Sequence, residues 1–169
     1  MPHDEDGELT ARRLFAVLRE QLPEQTVLVE ESPSNLADLH AEWPVTRPDS
    51  FYTFASGGLG WGLPASVGVA MGQDDKVIAI LGDGSAMYTI QGLFSAYQER
   101  ANASFVILNN SGYAALTGFA GEFGMNQVPG CDLAGIDFVK LAEAQGLPAR
   151  RVEAHEEIDE ALAWSFSLE

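Results

Sequence analysis

Basic residues and cysteine are scarce in this 169-residue sequence. Nine Lys and Arg stand against 25 Asp and Glu, which gives a formal net charge of −16 at pH 7. Because proteins bind nucleic acids largely through basic side chains that neutralise phosphates, this balance excludes a nucleic-acid partner. The single cysteine, Cys131, excludes a disulfide within the chain. Much of the acidic charge lies at residues 3–8 and 153–160, and we interpret both segments as solvated surface.

Long hydrophobic runs are missing as well. No apolar stretch approaches the roughly 20 residues that span a bilayer. The first residues also lack the basic and apolar segments of a secretory signal. We therefore expect a cytoplasmic location and no membrane partner. Apolar residues nevertheless make up 46% of the chain, which is enough for one core, so residues 1–169 are predicted to form a single domain.

The apolar pattern predicts strands that alternate with helices. Residues 8–22 carry apolar residues at helical spacing, and later runs are short and rich in β-branched or aromatic residues, as buried strands are. This alternation indicates an α/β fold with a doubly wound, mostly parallel sheet and helices on both faces. The predicted strands are 26–30, 51–54, 76–81, 104–108 and a short one at 149–153, and the other predicted helices are 33–42, 60–72, 87–100, 137–146 and 155–165.

Two parts of the sequence depart from this alternation. Residues 110–134 show little periodicity and are predicted to form a long loop, of a kind that is usually functional. In a doubly wound sheet a further strand would follow the last helix, so we expect the fold to lack its last strand.

Polar residues follow two of the predicted strands at the point where each strand ends. Asp83 comes after the strand 76–81, and Asn110 comes after the strand 104–108. The carboxyl ends of parallel strands meet at one edge of a sheet, so both side-chain oxygens can converge there if the strands are neighbours. Oxygen ligands suit Mg²⁺. We predict no protein partner for the Asp83 carboxylate, so a cation would balance its charge.

A diphosphate would fit beside such a metal. The only basic residue between these two positions is Arg100, at the far end of the predicted helix 87–100. An anion would therefore be held by the metal and by backbone N–H groups. Gly84 and Ser85 open that helix, where unpaired N–H groups and the helix dipole favour an anion.

Each motif also has a simpler explanation. Asp-Gly is a common turn, Asp is a common helix cap, and Asn-Asn before Ser-Gly is more often a turn than a ligand. Their joint position at the ends of two buried runs favours a site. A nucleotide P-loop is excluded because the sequence contains no G-x-x-x-x-G-K-[ST] motif. A Mg²⁺-dependent phosphatase would need further carboxylates near Asp83, and the segments after the strands contain none.

The motifs resemble those of a known family. "GDGS" followed by "NNSGY" is similar to the cofactor motif of thiamine-diphosphate enzymes, which begins with GDG and ends with NN after a spacer of about this length. From about residue 9 to 165 the chain resembles the 2-oxo acid decarboxylases of the benzoylformate decarboxylase family. The stretches "FASGGLGWGLPASVGVA" and "VPGCDLAGIDFVKLA" share this resemblance. The likeness is to their C-terminal, diphosphate-binding domain.

The resemblance implies a role for individual residues around the diphosphate. The Mg²⁺ ligands would be Asp83, Asn110 and the backbone carbonyl of Gly112. In the "ESPS" loop, Pro33 stands where relatives carry a hydroxyl residue, which removes one diphosphate contact. The remaining diphosphate contacts would be Gly84, Ser85, the backbone around Tyr113, Ser32 and Ser34.

The resemblance also implies residues around the thiamine rings and the substrate. Gly57 would offer its carbonyl to the aminopyrimidine, and Leu59 would be the apolar wedge that keeps thiamine diphosphate bent. The bend brings a pyrimidine nitrogen within proton-transfer reach of the thiazolium C2 atom. Ala115 and Phe119 match positions that line the substrate pocket, although an aromatic residue there is more often part of a core.

An activity and partners follow from the same resemblance. The enzyme would be a carboxy-lyase that converts an aromatic 2-oxo acid to an aldehyde and CO₂ with thiamine diphosphate and Mg²⁺. In this family the glutamate that activates the cofactor lies on a pyrimidine-binding domain, of the same enzyme or of another subunit. We therefore expect no catalytic residue on this chain, an inactive isolated chain and a homo-oligomeric full-length enzyme. The alternatives are an acetolactate synthase-like enzyme, an aliphatic 2-oxo acid decarboxylase and a non-catalytic cofactor-binding module.

Overall fold

The computed structural model describes residues 9–125 and 127–168. All strand pairings in it are parallel, and the four strands form one sheet in the order β2-β1-β3-β4. The predicted strands 26–30, 51–54, 76–81 and 104–108 are thereby confirmed. Their observed bounds are β1 (Val27–Glu31), β2 (Phe51–Thr53), β3 (Val77–Gly82) and β4 (Ala103–Leu108).

Eight helices connect and cover the strands in the described part of the chain. Short 3₁₀ turns at Pro33–Asn35 and His155–Glu157 precede the second and the last of them. The helix bounds are α1 (Ala11–Gln21), α2 (Leu36–Glu42), α3 (Gly62–Met71), α4 (Asp83–Met87), α5 (Gly92–Glu99), α6 (Ala114–Glu122), α7 (Phe138–Glu143) and α8 (Ile158–Ser167).

Strand β3 reads as a continuous apolar run because both faces of the sheet are covered. Ile78 and Ile80 of β3 point to one face and pack in a cluster with side chains of α1, α2 and α8. Val77, Ala79 and Leu81 point to the other face and pack in a cluster with side chains of α3, α5 and α7. The doubly wound arrangement with helices on both faces is confirmed.

The predicted helix 87–100 is wrong in its start and its continuity. Helix α4 begins directly at Asp83, and turns at residues 88–91 separate it from α5. Thr89 lies in this break, and its hydroxyl donates to the Gly60 carbonyl at 2.9 Å. The sequence predicts one helix here, and the observed helix is interrupted at the residue that makes this tertiary contact.

The predicted loop 110–134 contains a helix, α6, over Ala114–Glu122. Gly118 and Gly121 weaken its helical signal because glycine is a poor helix former. The rest of the segment is irregular in its described part, apart from an isolated antiparallel bridge between Gly112 and Asp132.

The predicted strand at 149–153 is absent, although the structure describes all of these residues. The N–H groups of Glu153 and Ala154 donate to the Glu157 carboxylate at 2.9 and 3.2 Å, so they cap a helical turn and do not join a sheet. Acidic residues of the predicted solvated segment 153–160 are exposed as expected. The other such segment, 3–8, lies outside the described residues. Within the described ranges, no helix has both the length and the apolar character needed to cross a bilayer.

Candidate functional site

The predicted site residues gather at the edge of the sheet where β1, β3 and β4 end. Strands β3 and β4 are neighbours in register, with Leu81 opposite Ile107 and Gly82 opposite Leu108. Asp83, directly after β3, and Asn110, two residues after β4, therefore leave the sheet side by side. Strand β1 lies on the other side of β3, so the loop that begins at Ser32 reaches the same edge.

Asp83 begins α4, and its side chain is buried although it carries a charge. The residue is 2% exposed. Its Oδ1 accepts the N–H of Gly84 at 2.8 Å, and its Oδ2 accepts the N–H of Gly112 at 2.9 Å. The prediction that this carboxylate has no protein partner is wrong, because two backbone amides bind it. No basic side chain of the described residues forms an ion pair with it.

Asn110 points to the same place as Asp83. Its Oδ1 accepts the N–H of Gly112 at 3.2 Å, so the amide oxygen and the carboxylate oxygen share one donor. Gly112 approaches another part of the backbone so closely that it has no room for a side chain. A Cβ atom at this position would lie 2.6 Å from the carbonyl oxygen of Cys131. The structure therefore brings Asp83, Asn110 and Gly112 together.

This donor set suits a hard divalent cation. It offers a carboxylate, a neutral amide oxygen and, through Gly112, a backbone carbonyl, and Mg²⁺ prefers such oxygen ligands. The described residues contain no cluster of three or more His, Cys, Asp or Glu that could hold a metal. The predicted ligand set differs from such a cluster because it contains only one carboxylate. It therefore leaves coordination positions of the metal to water and phosphate oxygens.

The residues predicted to contact the diphosphate surround Asp83. Gly84 and Ser85 are buried in the first turn of α4. The ring of Tyr113 packs on Gly84, since a Cβ atom there would overlap the ring. The pKa of Tyr113 is raised above its ordinary value. The largest cause is burial of its hydroxyl, followed by the neighbouring phenol of Tyr88 and then by the Asp83 carboxylate. A tyrosine phenol is neutral near pH 7 already at its ordinary pKa, and this upward shift keeps it so.

The other two predicted diphosphate contacts differ in their surroundings. Ser34 is exposed in the 3₁₀ turn after β1, whereas Ser32 is buried. The backbone N–H and the hydroxyl of Ser32 both donate to Oε1 of Glu30. A diphosphate that used Ser32 would have to compete with this carboxylate for the same donors.

The residues predicted to shape the thiamine rings lie on the loop between β2 and α3. Gly57 is exposed and has a φ of +73°, and Leu59 is half-buried. Glu31, at the end of β1, accepts hydrogen bonds from the residues that follow Leu59. This contact ties the loop to the same edge of the sheet as Asp83.

Both predicted pocket residues lie on α6, one turn apart. Ala115 and Phe119 are exposed, and Phe119 contacts Phe123 with a distance of 5.0 Å between ring centroids. Phe119 is 60% exposed, so it is not a core residue of the described chain. Within the described residues, Phe119 is therefore available on the surface, as a pocket residue would be.

The sequence reasoning missed two residues at this edge. Glu30 and Glu31 are both completely buried, and the carboxylates accept only hydroxyl and backbone N–H groups in the described contacts. Two successive glutamates at the end of an apolar strand, with no basic residue nearby in the sequence, were the signal that could have indicated them.

Comparisons with known proteins identify the family to which this chain is similar. Residues 34–168 match the family model described as thiamine pyrophosphate enzyme, C-terminal TPP binding domain. The chain is 39% identical over 167 residues to a benzoylformate decarboxylase of Pseudomonas aeruginosa, which covers 98% of this chain and 32% of the relative. It is 37% identical to a putative acetolactate synthase large subunit of Mycobacterium tuberculosis, covering 95% of this chain and 33% of the relative.

A solved structure agrees with these relatives. The crystal structure of benzoylformate decarboxylase from Polynucleobacter necessarius superposes with a TM-score of 0.91 at 38% identity, over 94% of this chain and 31% of that chain. The chain thus spans about a third of the length of these three relatives.

Proposed function

Because this chain belongs to the thiamine pyrophosphate enzymes as their C-terminal cofactor-binding domain, we propose that it holds the diphosphate and Mg²⁺ in a 2-oxo acid decarboxylase. The proposed reaction converts an aromatic 2-oxo acid such as benzoylformate to an aldehyde and CO₂. The observation that carries the proposal is the meeting of Asp83 and Asn110 at the N–H of Gly112.

The proposed metal ligands are Asp83, Asn110 and the carbonyl oxygen of Gly112. Gly84, Ser85 and Tyr113 lie around Asp83 and would contact the diphosphate, while Ser32 and Ser34 lie on the loop after β1. The burial of Asp83 strengthens its attraction for a cation, because a carboxylate held away from water attracts a cation more strongly than an exposed one does.

The chain would bind and orient the cofactor and the substrate. When bound, thiamine diphosphate supplies a thiazolium ring that takes up the electron pair left by the departing CO₂. Leu59 would press on the cofactor and keep it bent, and the Gly57 carbonyl would accept a hydrogen bond from the aminopyrimidine. Ala115 and Phe119, exposed on one side of α6, would contact the aryl group of the substrate.

Partners are needed to complete this site. The proposal places the activating glutamate on a pyrimidine-binding domain, either in the same longer protein or in another subunit of a homo-oligomer. The isolated chain would then release no CO₂ from benzoylformate, because it lacks the group that starts proton transfer in the cofactor.

A second candidate function is acetolactate synthase-like ligation. The 37% identity to the putative acetolactate synthase large subunit, over 95% of this chain, favours it. Products formed by the full-length enzyme from benzoylformate and from pyruvate distinguish the two candidates: an aromatic aldehyde supports the first, and acetolactate supports the second. A non-catalytic module is disfavoured because Asp83 and Asn110 are both retained.

The substitution Asp83→Ala tests the site itself. Loss of a direct ligand should weaken Mg²⁺-dependent retention of thiamine diphosphate by the assembled enzyme more than about 100-fold, which exceeds the usual effect of removing an outer partner of a metal ligand. Retention is measured as cofactor that remains bound after gel filtration, with and without Mg²⁺.

A matched control removes the same charge elsewhere. Asp74 is exposed and precedes β3, at the opposite edge of the sheet. Asp74→Ala should therefore retain the cofactor like the wild-type enzyme. Equal retention by a folded Asp83→Ala enzyme, as judged by circular dichroism, would remove Asp83 from the site and contradict the proposal.

A further inference from the structure

Glu31 is a completely buried carboxylate that binds a stretch of backbone distant in sequence. Its Oε1 accepts the N–H of Gly60 at 2.8 Å and the N–H of Trp61 at 3.1 Å. Its Oε2 accepts the N–H of Gly62 at 2.8 Å. Three successive amides at the start of α3 thus converge on one side chain at the end of β1.

These three bonds explain how a charge can be buried here. No basic side chain of residues 9–125 or 127–168 forms an ion pair with Glu31. A buried carboxylate needs hydrogen bonds to replace its hydration, and the positive end of a helix dipole favours it. Charge-assisted hydrogen bonds are also stronger than neutral ones. The carboxylate therefore holds the loop firmly and cannot leave it without a large loss of solvation.

The same peptide is held from its other side by the segment after α4. The carbonyl of Gly60 accepts the Thr89 hydroxyl at 2.9 Å. Gly60 has a φ of +98°, and a Cβ atom at Gly60 would lie 2.7 Å from the Cβ atom of Tyr88. Only glycine fits this conformation and this contact, so the position of the peptide is closely determined.

We propose that Glu31 and Thr89 are positioning residues that set the place of Leu59 against the bound thiamine diphosphate. Leu59 directly precedes Gly60, whose N–H and C=O are both held. The two residues, here named the Gly60 clamp, join the end of β1 and the segment after the Asp83 helix to one loop. The inference rests on the proposed function, since it assigns Leu59 to the cofactor.

Thr89 allows a mild test of the Gly60 clamp. Thr89→Val keeps the shape of the side chain and removes the hydroxyl, whereas Thr89→Ser keeps the hydroxyl. Glu31→Gln serves as a second variant, because it places an amide N–H against the N–H of Gly62.

The first measurement needs no cofactor. Amide hydrogen exchange of Gly60, Trp61 and Gly62 in the full chain should speed up about two- to tenfold in Thr89→Val, as expected for the loss of one hydrogen bond, and more in Glu31→Gln. Amides within β3 should exchange at the wild-type rate in both variants. Thr89→Ser should match the wild type throughout.

The second measurement separates the rings of the cofactor from its diphosphate. Affinities for thiamine diphosphate and for inorganic pyrophosphate are measured by calorimetry with Mg²⁺ in the assembled apoenzyme. We expect Thr89→Val and Glu31→Gln to reduce the preference for thiamine diphosphate about two- to tenfold while pyrophosphate affinity stays constant, because only the contact with Leu59 is displaced. Thr89→Ser should restore the preference.

The outcomes distinguish the inference from the function on which it rests. A wild-type enzyme that does not prefer thiamine diphosphate to pyrophosphate contradicts the proposed function, and the inference with it. A wild-type preference that survives in both variants overturns the Gly60 clamp alone, even if amide exchange changes. The clamp is also overturned if Thr89→Ser behaves like Thr89→Val, or if exchange at Gly60, Trp61 and Gly62 is unchanged in both variants.

Discussion

Gly112→Ala is expected to destabilise the chain, although alanine usually favours folding. The backbone of Gly112 has no unusual φ, so the effect comes from space alone. The added Cβ atom would lie 2.6 Å from the carbonyl oxygen of Cys131, whereas close carbon–oxygen contacts in proteins lie at about 3.3 to 3.6 Å. The carbonyl would therefore have to withdraw by a large part of an ångström.

The hydrogen bonds around the Cys131 carbonyl indicate how much free energy this displacement would cost. The Cys131 carbonyl accepts the N–H of Tyr113 at 3.0 Å, and the N–H of Leu133 donates to Ser111 at 2.9 Å, so neighbouring bonds resist the movement. Overpacking costs about 1–3 kcal/mol, and one lost backbone hydrogen bond adds about 0.5–1.5 kcal/mol. The free energy of unfolding should therefore fall by about 1.5–4.5 kcal/mol.

The assay is urea unfolding of the chain, followed by circular dichroism and by tryptophan fluorescence. Gly118→Ala is the matched control, because Gly118 lies within α6 and a Cβ atom there would have no neighbour within 4 Å. In that helix alanine should raise the free energy of unfolding by about 0.5–1 kcal/mol. If Gly112→Ala unfolds at the same urea concentration as the wild type, the close packing of the Gly112 backbone is refuted.

Two further predictions concern the surface and pH. Phe119→Ala should raise KM for benzoylformate about two- to tenfold in the assembled enzyme and leave KM for pyruvate unchanged, as expected for the loss of one aromatic contact with the substrate. Equal effects on both substrates would exclude Phe119 from an aryl pocket. Hydrogen bonds from the N–H groups of Glu153 and Ala154 lower the pKa of Glu157. This carboxylate is therefore stabilising above the pKa of an unfolded glutamate, about 4.3, and its contribution is lost as pH falls through the lower folded value. An NMR titration of the carboxyl carbon checks the direction, and in Glu157→Gln this part of the acid sensitivity should disappear.

The sheet and the convergence of Asp83 with Asn110 could be predicted because both depend on short-range patterns. Continuous apolar runs mark buried parallel strands, and the residues after neighbouring strands must share an edge. The backbone partners of Asp83 could not be foreseen, since Gly112 reaches the carboxylate only after the chain has turned back beyond β4.

The errors have equally specific causes. Helix α6 was missed because two glycines interrupt its pattern. The strand predicted at 149–153 was wrong, and its last residue, Glu153, donates its N–H to Glu157 as part of a helix cap. The contacts of Glu31 and Thr89 with Gly60 join positions about 30 residues apart, so local periodicity contains no signal for them.

The position of β4 has a consequence for the behaviour of the chain in solution. Among the described strands β4 pairs only with β3, so the backbone groups along its other side form an open edge next to apolar side chains such as Phe105 and Ile107. Such an edge is a template on which another strand can add, whether it comes from a longer protein or from a second molecule. Mutual repulsion between molecules of net charge −16 opposes that addition, and dissolved salt shortens its range to about 8 Å at physiological ionic strength. Concentrated salt should therefore weaken this electrostatic protection of the β4 edge against intermolecular pairing.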